Sequence, residues 1–123
     1  MLARCAAALA MAAEIAIHVW LAPDHLEEMP YIGIAFVIAS VVGTAVLVLV
    51  LADRPSGWWL GAALCVGMAG AFVVSRAVGL PDYHEAWTGD HGLGLWSLPP
   101  EALFVVLAHH RLRRGSELVA VLA

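Results

Sequence analysis

The chain has 123 residues, of which 63% are hydrophobic and 13% charged, with a formal net charge of −4. That length makes one domain, and so apolar a composition points to membrane spans before any water-soluble core. The acidic balance argues against nucleic acid, which calls for a basic face.

Roughly 20 apolar residues cross a bilayer, and on that measure residues 2–22 form a first span. Arg4 and Ala10-Met11-Ala12 also suggest a cleaved signal peptide, but the charged region before the apolar run is very short, and the segment reads better as a span. Pro23 then predicts a helix stop. Asp24 is expected to cap the next helix, with Glu27 three residues on completing a capping box. Residues 30–52 form the second span and carry no charge at all. A "DRPSG" turn leads to a third, 57–80, interrupted only by Arg76. Gly57 and Gly61 make a G-x-x-x-G, which permits close helix approach but is frequent by chance. "PDYHEA" repeats the P-D-x-x-E of "PDHLEE", so Asp82 and Glu85 are read as a second cap. The stretch 87–98, "WTGDHGLGLWSL", is too polar at its start for a span and too apolar at its end for a solvated loop. It reads as a lid over the mouth of the bundle. A short fourth span, 99–114, begins at Pro99, a favoured first-turn residue. The predicted fold class is all-α: a polytopic membrane protein with four transmembrane helices in a small bundle.

The chain has no lysine, and five of its six arginines (Arg4, Arg54, Arg111, Arg113, Arg114) fall on one side of these spans. The positive-inside rule then places both termini in the cytoplasm and turns the acidic, histidine-bearing connections outward.

Depth follows from a rise of ~1.5 Å per residue: Glu14 and Glu101 each come roughly 15 Å from the arginine end, near the middle of the bilayer. His18 is one turn beyond Glu14, and Arg76 is near the outer end of its span. Ionisable groups at such depth cost about 2.5–3.5 kcal/mol each, so they should face inward and find partners. One reading is an ion-paired plug that only sets helix register, as in an accessory subunit of a larger membrane complex or a homo-oligomer. The other is a site. His18, His25, Glu28 and His84 offer the imidazole and carboxylate ligands that copper, iron or zinc accept. Glu85 and His91 would be further ligands, and Glu14, Arg76 and Glu101 a supporting polar cluster. His25 and Glu28, at i and i+3, are expected on one face of the second helix's start. Haem held by His18 with His84 or His91, and a proton path through Glu14, His18 and Glu101, use the same residues differently.

The other marked residues suit structural roles. Cys5 and Cys65 match no metal or redox spacing and read as packing thiols. His109 and His110, just before an arginine run, suit a helix C-terminus and anionic headgroups. The five tryptophans fall near predicted interfaces, as an aromatic belt does. No Ser-His-acid order, phosphate loop or cysteine nucleophile is evident, so nothing here points to an enzyme.

H-x-x-E-x-x-x-x-G (His25, Glu28, Gly33) followed by S-R-x-x-G-L-P (Ser75, Arg76, Gly79, Leu80, Pro81) resembles a group of small, uncharacterised bacterial membrane proteins. The likeness covers roughly residues 14–105, with an acid near Glu101. It implies a four-span protein of the bacterial cytoplasmic membrane with outward-facing His, Glu and Arg, and brings no activity with it.

Overall fold

A computed structural model describes residues 1–84, 87 and 92–122, and among these the regular elements are all helical. Helix α1 is Leu2–Glu28, α2 is Pro30–Leu51 and α3 is Pro55–Ala77; a 3-10 helix, Gly92–Ser97, leads into α4, Leu98–Leu122. The first three are long and apolar enough to cross a membrane. The distribution of exposure agrees with that. Leu9, Trp20 and Val41 are 72, 73 and 65% exposed, whereas Glu14 and Glu101 are 2% exposed. Apolar outside and ionisable inside is the arrangement a lipid environment rewards.

Pro23 does not end the first helix. α1 runs through it to Glu28, and the α1–α2 connection is Met29 alone, with Pro30 in the first turn of α2. Asp24 and Glu27 therefore lie inside α1, exposed, and cap nothing. Proline removes one main-chain donor, but packing of α1 along α2 holds the helix past that defect. At 27 residues, or about 40 Å, α1 exceeds a ~30 Å hydrocarbon layer and can carry Asp24, Glu27 and Glu28 beyond it. The second P-D-x-x-E is not a helix start either. Leu80 and Tyr83 bond each other's main chain around Pro81 and Asp82, and Asp82 takes φ 55°. Proline followed by a positive-φ residue is the signature of a type II turn. Glu85 lies outside the described residues.

At the arginine-rich end the core is made of small and apolar side chains, with Ala7, Met11, Val46, Trp58, Cys65 and Phe104 essentially inaccessible. Trp58 is thus a core residue, not part of an interfacial belt, while Trp20, Trp59, Trp87 and Trp96 are exposed. Both glycines of the G-x-x-x-G are contact points. A Cβ on Gly57 would lie 2.6 Å from Leu49 Cβ, and one on Gly61 would clash with Cε1 and Cζ of Phe104.

Asp53, in the α2–α3 turn at φ 52°, ties three elements together. Arg111 of α4 donates to both its oxygens, at 3.3 and 3.1 Å, and the Trp58 indole donates at 3.4 Å. Arg111's hydrogen bonds hold the Asp53 carboxyl below its ordinary value of 3.8, so it stays ionised. Both partners are about 40% exposed, and such pairs contribute on the order of 0.2–1 kcal/mol.

α4 begins deep in the bundle. Glu101, in its first turn, comes near enough to Glu14, at the midpoint of α1, for their charges to interact. Pro99 and Pro100 lack two of the donors that Ser97 would otherwise cap, and the Ser97 hydroxyl turns back to the Gly94 carbonyl at 2.9 Å. The helix continues past His109 and His110, so that pair is mid-helix and exposed rather than terminal.

Candidate functional site

Above the core, α1, α2, α3 and the 3-10 helix enclose a partly open cavity of about 510 Å³. It exists because the helices separate there. α3 presses on α2 at Gly57, but at Gly67, which lines the cavity, a Cβ would meet nothing within 4 Å. Ala39, Ala63, Gly67 and Ala71 keep the walls back, and Phe36 and Phe72 supply broad apolar surface.

Two polar groups of the cavity, His18 and His25, come from a stripe on α1. Ala7, Met11, Glu14, His18, Leu21 and His25 recur at intervals of four and three, and all are buried. That is one face of a helix. His18 and His25 line the cavity two turns apart, with Phe36 of α2 between their rings at centroid distances of 5.1 and 4.7 Å. Each histidine uses Nδ1 on the carbonyl one turn back, His18 on Glu14 and His25 on Leu21, both at 2.9 Å. A carbonyl can only accept, so Nδ1 is the donor in each bond, and Nε2 is the lone-pair atom wherever the ring is neutral.

Glu101 lines the base of the cavity within hydrogen-bond reach of the Ser97 side chain. Glu14 stands behind it, with His18 Nδ1 3.7 Å from its Oε2. Among the described residues neither oxygen of Glu14, nor Oε2 of Glu101, has a hydrogen-bond partner. The two acids lie near one another, and both are buried, as expected. The first turn of α4 also points its positive dipole end toward this level, which favours acidic groups there.

Arg76 forms part of the cavity wall near the end of α3, its guanidinium 3.6 Å over the Phe72 ring and its Nη1 donating to Ser75 Oγ at 3.0 Å. Gly94 packs against it, and of the described residues of the expected lid Gly94 and Ser97 line the cavity. Across the mouth, the Tyr31 hydroxyl donates to the Pro81 carbonyl at 2.7 Å, holding α2 to the turn after α3.

The four expected metal ligands are not brought together. His18 and His25 face the cavity, whereas Glu28 and His84 are exposed and do not line it. Glu28 and His25 share the last turn of α1, not the start of α2, and that register places only His25 on the buried stripe. Among the described residues no group of three His, Cys, Asp or Glu is arranged to hold a metal ion. Glu85 and His91 lie outside those residues. Compared with protein-family models, curated proteins and solved structures, the chain matches none.

Proposed function

We propose that this protein is a membrane-embedded binding site for a small lipophilic molecule whose polar end carries hydroxyl or carbonyl groups, as quinols and quinones do. The observation that carries the reading is the cavity itself. Its size falls in the roughly 300–1,000 Å³ range of small-molecule sites, and its apolar walls are broken by a few convergent polar groups. His18 offers an Nε2 acceptor to a donor on the ligand, Glu101 can serve as donor or acceptor according to its protonation, and His25 and Arg76 add polar surface to the same walls. Phe36, Phe72 and the small residues of α3 would hold the apolar body.

In this reading α4 and the 3-10 helix complete a fourth membrane wall, and the arginine-rich end faces the cytoplasm with both termini. A cysteine placed at Thr88 should then react with an impermeant thiol reagent from outside, and one at Ser116 only after the membrane is opened. The reverse labelling would invert the protein.

The test of the function is purification in mild detergent, followed by solvent extraction and mass spectrometry, with titration of decylubiquinone by tryptophan quenching. About one lipophile per chain, or saturable quinone uptake that drops at least tenfold in a His18→Ala/His25→Ala variant, is the expected result. A protein with no extractable lipophile and no quinone uptake would sink the proposal and favour an accessory subunit whose polar cluster only sets packing.

A bound transition metal or haem iron is the second reading, favoured by the Nδ1-protonated tautomer that a ligating imidazole adopts. Phe36 between the rings keeps His18 and His25 from sharing one ion, so one of them would need donors from elsewhere. Elemental analysis and an optical spectrum of the same preparation read that outcome directly.

A further inference from the structure

The opposite end of the bundle has a second cleft, of about 290 Å³, lined by Arg4, Asp53, Trp58, Arg111 and Arg114 among others. Among the described residues, three arginines there face one carboxylate. Arg111 is committed to Asp53 by two hydrogen bonds, and Arg4 is close enough to feel the Asp53 charge. Counting these side chains, an excess of two positive charges remains, provided by helices at opposite ends of the sequence, α1 and α4.

The level of this cleft matters as much as its charge. It sits beside the α2–α3 turn, where the uncharged run of α2 ends at Leu51 and α3 begins at Pro55. Trp59, 66% exposed, marks the same level as an interface. Anionic phosphate groups of lipids lie at that height, and basic pockets between spans are where such headgroups bind. Arginine suits the task because its planar fork matches phosphate oxygens.

We infer that this cleft binds a phosphate group carrying net negative charge, with Arg4 and Arg114 as its direct ligands and Arg111 held in place by Asp53 as a positioning residue. A phospholipid headgroup and free inorganic phosphate share that chemistry, and the two sources can be told apart.

Wild type and an Arg4→Gln/Arg114→Gln variant, each in detergent, would be titrated with phosphatidylglycerol or phosphatidylcholine and followed by native mass spectrometry. Circular dichroism and size exclusion would check the fold. Wild type should retain phosphatidylglycerol over phosphatidylcholine, and the variant should bind it roughly 30-fold more weakly, from about fivefold for each arginine at an anionic surface. Retention by wild type should also fall as sodium chloride rises, a readout that needs no variant. Displacement of the lipid by millimolar inorganic phosphate assigns the site to free phosphate, and resistance to it assigns the site to the headgroup. Equal retention of the two lipids by wild type, or of phosphatidylglycerol by wild type and a folded variant, would overturn the inference.

Discussion

Gly61→Leu should leave little folded protein. A single Cβ at this position already clashes with Cε1 and Cζ of Phe104 and lies 2.8 Å from Val46, and both side chains are wholly inaccessible. Neither can swing into solvent or lipid, because each is packed among Met11, Cys65 and Trp58. Extra atoms in a filled interior cost about 1–3 kcal/mol when neighbours can adjust. Here the neighbours are the core, so the cost should reach the upper end or exceed it. Gly70→Leu is the control on the same helix, since a Cβ there meets nothing within 4 Å. Titration of the purified variants with SDS, followed by circular dichroism, should show Gly61→Leu unfolding far earlier than wild type and Gly70→Leu close to it. Equal behaviour of the two variants would mean that α3 does not approach α4 through Gly61.

The parts of this arrangement that were legible in the sequence are those set by helix geometry alone. A fixed rise per residue puts Glu14 and Glu101 at one depth, and the cost of burying acids in an apolar medium turns both inward. The misread parts depend on packing. Pro23 reads as a stop because it lacks a donor, yet α2 lies along α1 past that point, as the close approach of Gly33 to Leu26 shows. Treating Pro23 as a boundary moved His25 and Glu28 onto the wrong helix and paired them as ligands. A signal for the actual register was present: Met11, Glu14, His18, Leu21 and His25 keep one alternation of three and four straight through the proline. Asp53 gave no such signal, since an acid beside Arg54 and Pro55 reads as an ordinary solvated turn. Its role needs Arg111, 58 residues away, and long-range pairing of that kind leaves no local pattern.

Gly67→Leu should weaken ligand uptake at least tenfold while leaving the bundle intact, and it is the sharpest separation of site from scaffold that this fold permits. Gly67 and Gly70 both have open space where a Cβ would be, but Gly67 lines the large cavity and Gly70 is not part of its wall. An isobutyl group at Gly67 therefore occupies volume that the ligand's apolar body requires. Decylubiquinone titrated against the two variants should bind Gly67→Leu at least tenfold more weakly than wild type, a loss of about 1.4 kcal/mol, and Gly70→Leu as wild type does. Both should unfold in SDS near the wild-type midpoint. Removing His18 or His25 cannot make this distinction, because each also bonds its own helix and packs on Phe36, so a loss of binding there mixes two causes. Blocking with a leucine adds bulk and removes no interaction. If Gly67→Leu takes up the quinone as wild type does, the ligand does not enter between α2 and α3, and the polar groups of α1 serve the packing of the bundle instead.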